Sequence, residues 1–401
     1  MGVKVGGVKE GSMDGIDRRT LIAAAAGGGA LLAGGAASAP TPPARRTPPA
    51  TVLPALEIAY LADAPTSPTG LAIDAQGRAL LFMPRFDDKT LFSIGLVAED
   101  GSVSPWPDAA INRPDPQRPQ DTLFHIPAGV FDTAGRLWVV DAGLMAASGP
   151  PVPGAAKLVC FDPGGRVLRV IPLGAVTEKT SSLNDLRVHA GAGGRETAFV
   201  TDQGQDGQGA LLAIDLATGG ARRRLAHHSS TASVKGVLKL VEGRAVEKRG
   251  RDGSASPVQG GANGIALSPD GRRLYWAPLM ARHLYAVATD LLLDPQADDA
   301  AIGAAVEDLG EKGLTGGLET DAAGRVWLAL QEFNAVGVRE ADGTVRVAAS
   351  DPRLIWPDSF VIRDGWLYIS SSQVNRRPEY NTGVDRQQKP YAVLRMRLPA
   401  A

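Results

Sequence analysis

Three polar residues in this sequence stand at the mouths of short apolar segments where their types are unexpected. They are Asn184 in "SSLNDLRVH", Asn263 in "GGANGIAL" and Asp358 in "IWPDSFVI". Asn and Asp are poor strand residues and good turn or ligand residues. Asp185 adjoins the first of them, and Glu319 lies in "GLETD". Brought to one place, two amides and a carboxylate could take a proton from a small molecule and donate hydrogen bonds to charge developing on it. The same residue types also fasten loops by bonding to backbone amides, so the elements that carry them decide between the two roles.

Other chemistry-bearing residues are weaker candidates. His125 in "TLFHIPAG" lies on an entry loop four residues before an apolar segment, within reach of the same place. His227 and His228 are adjacent, and adjacent strand residues point to opposite faces, so a two-tooth metal grip is not expected of them. "GQDGQG" has no following Lys-Ser/Thr and so does not read as a phosphate loop. Neither G-x-S-x-G nor H-E-x-x-H occurs. The basic run "VKGVLKLVEGRAVEKRGRDG" is interleaved with Glu242, Glu247 and Asp252 and reads as a solvated hairpin or insertion.

The elements that position these residues are legible as a repeat. Copies begin at Gly70 ("GLAIDAQGRALLF"), Gly129 ("GVFDTAGRLWVVD"), Gly264 ("GIALSPDGRRLYWAP"), Gly317 ("GLETDAAGRVWLAL") and Ser359 ("SFVIRDGWLYISS"), with a looser one from Asp185 ("DLRVHAGAGGRETAFVTD"). Each is a short apolar strand, a turn carrying Asp and Gly, and a second strand, the pattern of a tight hairpin. Further strand pairs follow most copies, as in "KLVCFDPGGRVLRVIPL". Six such units predict an all-β, six-bladed β-propeller. "LEIAYLA" near residue 56 and "YAVLRMRL" near 391 are expected to close the ring, because an open ring would leave unpaired strand edges. First strands line a propeller's channel, so the residues just before the copies, Thr69, Ala128, Asn184, Asn263, Gly316 and Asp358, are expected to form one ring at its mouth, with Asp185 and Glu319 close by. Channel mouths are where such folds bind ligands.

The 48 glycines and 29 prolines agree with a turn-rich chain, and a net charge of −1 gives no electrostatic footprint for nucleic acid. The single cysteine, Cys160, excludes an intramolecular disulfide and reads as a core residue. Arg18-Arg19, a weakly apolar Ala/Gly/Leu run and Ala37-Ser38-Ala39 have the layout of a cleaved twin-arginine export signal over residues 1–39. Residues 40–54 read as a Pro-rich tether and residues 55–401 as the propeller. The mature chain is therefore expected in the periplasm or outside the cell, with the twin-arginine machinery as the precursor's partner and no transmembrane anchor.

The stretches "GVFDTAGRLWVVDAG", "SLNDLRVH", "AFVTDQG", "GALLAIDLATG" and "NGIALSPDGRRLYWAPLMARHLYAV" together resemble the major royal jelly/yellow protein family, including its bacterial members. That resemblance implies a secreted six-bladed propeller and associates the chain with dopachrome tautomerase-like activity. Asp358 or Asp185 would then be the base and Asn184 and Asn263 the donors, with Thr69, His125 and Glu319 against the substrate in the central channel. A more distant likeness is to gluconolactonase and senescence-marker-type propellers. It implies a metal-dependent lactonase in which Asn184, Asn263 and Asp358 hold one divalent cation (Ca, Mg, Mn or Zn). The first-blade Glu of that pattern is missing here; Thr69 and Gly70 stand in its place. A third reading is a non-catalytic periplasmic binder of aromatic amines.

Overall fold

Four-stranded antiparallel sheets repeat six times around a closed ring. The computed structural model describes residues 54–87, 90–191 and 196–399; the expected export signal and all but the last residue of the tether lie outside them. The innermost strands of the six blades are Gly70–Ile73, Ala128–Phe131, Leu183–Ala190, Ala262–Leu267, Thr315–Thr320 and Pro357–Arg363. Each packs against its counterpart in the next blade, and the last packs against the first. In blade six, Glu57–Ala62 pairs antiparallel with Tyr391–Arg397 as the outermost strand, so the two ends of the propeller chain close the ring as expected.

The repeated Asp-x-x-Gly-Arg turn has a direct physical cause. Asp132 accepts from the backbone N–H of Ala134 and Arg136, from Arg136 Nε and from Trp138 Nε1. Asp321 does the same with Ala323, Arg325 and Trp327. One carboxylate thus satisfies the turn's own donors and fixes the tryptophan that fills the space between blades. Trp138, Trp276 and Trp327 are almost entirely buried, and Cys160 lies among Trp138, Val140 and Leu158 as the expected core residue.

Four of the six innermost strands start with a bulge. Register slips by one residue between Leu183 and Leu186, Ala262 and Gly264, Thr315 and Leu318, and Pro357 and Phe360, whereas blades one and two pair without interruption. A bulge leaves residues outside the ladder and re-aims their side chains. Asn184-Asp185, Asn263 and Asp358 sit on these bulges, which is why residues ill suited to strands begin three of the inner strands.

Two connections rise above the channel mouth. The chain between blades three and four carries two small hairpins, Leu240–Val241 with Arg244–Ala245 and Glu247–Arg249 with Ala255–Pro257. The connection within blade six carries the short 3-10 turns Val374–Arg376 and Pro378–Tyr380. They meet: the Glu242 carboxylate accepts from Arg376 Nε and Nη2 and from Asn375 Nδ2. Val241, Val246, Val258, Met280, Trp356 and Val374 form a small apolar core beneath. Among the described residues, no helix is long and apolar enough to cross a membrane.

Candidate functional site

Under this roof lies a cavity of about 690 Å³ whose wall includes Thr69, His125, Asn184, Asp185, Asn263 and Asp358. Six of the seven residues singled out from the sequence are therefore brought together. Glu319 is not in the wall. It lies with Arg187, whose Nη2 is 3.4 Å from Glu319 Oε2 while its Nη1 is 3.1 Å from Asp185 Oδ1. Arg187 also donates to the carbonyl of Leu318, so this side chain of blade three reaches blade five behind the cavity.

Each wall residue has a distinct situation. Asp185 is engaged by Arg187 and by the N–H of Leu186 at 2.8 Å; burial raises its pKa and the Arg187 guanidinium opposes that. Asn184 donates from Nδ2 to the carbonyl of Asn263 (3.4 Å), and Asn263 donates from Nδ2 to Gln203 Oε1 (3.0 Å). Each amide so uses one of its two N–H donors on the protein and retains the second, together with its carbonyl oxygen. Thr69 Oγ1 lies 3.4 Å from the carbonyl of Pro127.

Asp358 has no cation within ion-pair distance among the described residues. Burial pushes its carboxyl up to about 7, against the opposing hydrogen bond from Ser372 and the Lys239 ammonium nearby. Its Oδ2 is 3.2 Å from Ser372 Oγ. Its Oδ1 lies 2.7 Å from the point a Cβ on Gly316 would occupy, and Gln331 Nε2 lies 2.6 Å from that same point. A side chain at 316 would displace the Asp358 carboxylate and the Gln331 amide from this space. Gln331 is fully buried and its Nε2 has no protein acceptor among the described residues.

Lys239 is the functional residue that the sequence reading misplaced. The basic run was expected to be solvated, yet Lys239 is fully buried, bonded to Gln331 Oε1, with its Nζ 4.8 Å from the centre of the Trp356 ring. Burial lowers its pKa to about 7, against the pull of Asp358 and Glu332. The available signal was local: apolar residues flank this lysine on both sides in "GVLKLVE", unlike its neighbours in the run. Trp356, also missed, holds a left-handed backbone (φ 56). That conformation is strained for a bulky residue, and here it places the ring in the cavity wall between the roof and Asp358.

His125 is held by its backbone. Asp141 accepts from the N–H of Phe124 (2.9 Å) and His125 (3.0 Å) and is ion-paired to Lys157 at 2.8 Å, fully buried. His125 Nδ1 is 3.2 Å from the carbonyl of Arg85. A carbonyl can only accept, so Nδ1 carries the proton and Nε2 is left with its lone pair. Burial lowers this pKa to about 4, so the ring is neutral at pH 7.

As a metal site the trio of Asn184, Asn263 and Asp358 offers one carboxylate and two amide oxygens, with the Lys239 ammonium behind. A hard divalent cation takes six or more oxygens, of which this trio would supply three. Among the described residues, no group of three or more His, Cys, Asp or Glu side chains is placed to hold a metal ion. The donor set does not fit a resident dication.

Fold and site together define a six-bladed propeller with a roofed, small-molecule-sized cavity at its channel mouth. The chain belongs to the major royal jelly protein family, whose model matches residues 130–398. Among solved structures it is similar to a gluconolactonase from Xanthomonas campestris, at 16% identity over 86% of this chain and 89% of that one, with a TM-score of 0.50. It is also similar to a luciferin-regenerating enzyme (12% identity, 85% and 94% covered, TM-score 0.49) and to virginiamycin B lyase from Staphylococcus aureus (11%, 85% and 99%, 0.45). The likeness to the gluconolactonase agrees with the propeller fold. No curated protein matches the chain.

Proposed function

We propose that this protein is an exported enzyme of tautomerase type, moving a proton on a cyclic small molecule held beneath the roof. One observation carries the reading: Asp358 stands in the wall of a half-open cavity, its carboxyl pushed by burial up to about 7. A general base is most effective when its pKa lies near the working pH. Asp185 is tied to Arg187, so Asp358 is the base, and its ionised form takes a carbon-bound proton. The free N–H donors of Asn184 and Asn263 stabilise the enolate oxygen that develops. His125, neutral with Nε2 open, accepts a hydrogen bond from a ligand hydroxyl. Thr69 completes the wall. The twin-arginine pattern at Arg18-Arg19 supports export to the periplasm or beyond.

The test is the disappearance of an aminochrome such as dopachrome, followed by absorbance, in wild-type protein and Asp358→Asn. Catalysed loss that rises with pH through about 7 and falls at least 100-fold in the variant supports the reading; equal rates in both overturn it. Hydrolysis of a lactone is the second reading, favoured by the likeness to the Xanthomonas gluconolactonase along most of both chains. There Asp358 would activate water, and acid release from a sugar lactone in a pH-stat tells the two apart.

A further inference from the structure

The charges around the cavity are not evenly matched. Its wall holds four acids, Asp87, Asp185, Asp358 and Glu379, and four bases, Lys248, Arg249, Arg251 and Arg377. Arg377 lies 2.7 Å from Glu379 and 3.7 Å from Asp87, one cation shared between two acids. Asp185 is answered by Arg187, and Asp358 by Lys239 from behind the wall. Arg249 is paired with Glu247 at 2.7 Å. Lys248 and Arg251 are left, and neither has a carboxylate within ion-pair distance among the described residues. Both belong to the outer roof hairpin.

Their placement is built rather than incidental. The hairpin packs against the Pro378–Tyr380 turn, and the Arg251 Nε lies 2.7 Å from the point a Cβ on Gly383 would occupy. Gly383 has a φ of 87, so a side chain there is excluded by conformation as well as by space. Phe86, Trp356 and Tyr380 add aromatic surface to the wall, beside polar side chains such as Gln203, Gln205 and Gln259. Asn184, Asn263 and Asp358 stand at the starts of inner strands. The cavity thus has cationic residues in its roof hairpin and hydrogen-bonding groups at the channel mouth.

We infer that the molecule bound here is a cyclic carboxylate, its anionic group held by Lys248 and Arg251 at the roof and its ring hydroxyl or N–H presented to Asn184, Asn263 and Asp358. Arginine and lysine give a carboxylate charge-assisted hydrogen bonds that its neutral isostere cannot match. The same two charges repel an ammonium ligand, so the amine-binding alternative is disfavoured. The inference rests on this cavity being the ligand site of the proposed function and adds the substrate class.

The test uses isothermal titration calorimetry of the intact mature protein with three molecules of one size: 4-hydroxyphenylacetate, its neutral amide, and tyramine. The acid is expected to bind at least 10-fold more tightly than the amide, and tyramine more weakly than both. The preference for the acid should shrink when salt is raised from 50 to 500 mM. Lys248→Ala with Arg251→Ala should reduce acid binding at least 10-fold with an unchanged melting temperature, both residues being exposed. Equal binding of acid and amide, tighter binding of tyramine, no binding of any, or an unaffected double variant each overturns the inference. Acid-selective binding without aminochrome turnover removes the catalytic reading and leaves this one standing. Turnover without acid selectivity does the reverse.

Discussion

Asp358→Asn should make the protein more stable at high pH while abolishing its chemistry. The carboxyl is displaced from 3.8 to about 7 in the folded state, chiefly by burial. At about 1.36 kcal/mol per pH unit, that displacement corresponds to roughly 4 kcal/mol. Part of the Asp358 surface faces the water of the cavity, which screens the charge, so about 2 kcal/mol is the working figure. The raised pKa means that the folded state keeps a proton which the unfolded chain releases. The associated stability is present in full below pH 3.8 and is lost as pH rises to about 7. Asparagine has nearly the same shape and never ionises. Urea unfolding at pH 8.5 should therefore show the variant more stable by about 2 kcal/mol, with the difference shrinking to about 0.5 kcal/mol at pH 4.5. Lys239 does not blur the comparison, because its own pKa of about 7 leaves it largely uncharged at the higher pH. Equal destabilisation at both pH values would refute the reasoning and make Asp358 an ordinary loop fastener held by Ser372.

Three further outcomes are expected. Asp141→Ala leaves the Lys157 ammonium buried without its carboxylate and should cost about 3–5 kcal/mol in chemical denaturation. It should also weaken ligand binding by freeing the His125 backbone, which calorimetry would register. Gly316→Ala brings a methyl within 2.7 Å of Asp358 Oδ1 and 2.6 Å of Gln331 Nε2, so catalysis should fall at least 10-fold with the far-ultraviolet spectrum of a folded propeller retained. Elemental analysis of the purified mature protein should find well under one divalent ion per chain, and chelation should leave activity unchanged; one tightly held ion would promote the lactonase reading.

The residues that could be placed from the sequence are those that repeat. Asn184, Asn263 and Asp358 share one position relative to their copies, and the copies carry turn chemistry that forms the same hairpin wherever it occurs, so their convergence was readable. The bulges that aim them were not, because a one-residue slip of register leaves no compositional mark. Glu319 shows the consequence: it belongs to the same strand set, but lying past the bulge it meets Arg187 instead of the cavity. The roof was invisible for the opposite reason. Residues 226–261 and 372–390 match no other blade, and their meeting at Glu242 and Arg376 joins positions more than 130 apart. Lys239 fell within a run whose average character is solvated, and only its apolar neighbours Leu238 and Leu240 set it apart from Lys248.

The closure of the ring through Glu57–Ala62 bears on the order of assembly. Asp358 belongs to the blade sewn from both ends of the chain, where Ser67 Oγ bonds the carbonyl of Ser372 across 305 positions and Arg353 bonds Leu56 across 297. Contacts so distant in sequence are slow to form, since loop closure must precede the reward of pairing. During synthesis the first five blades can build in turn, but the sixth waits for Tyr391–Arg397 to leave the ribosome and capture the strand made first. Completion of the cavity wall at Asp358 is thereby a late event in the life of the molecule, and ligand binding in a refolding or translation experiment should report ring completion itself.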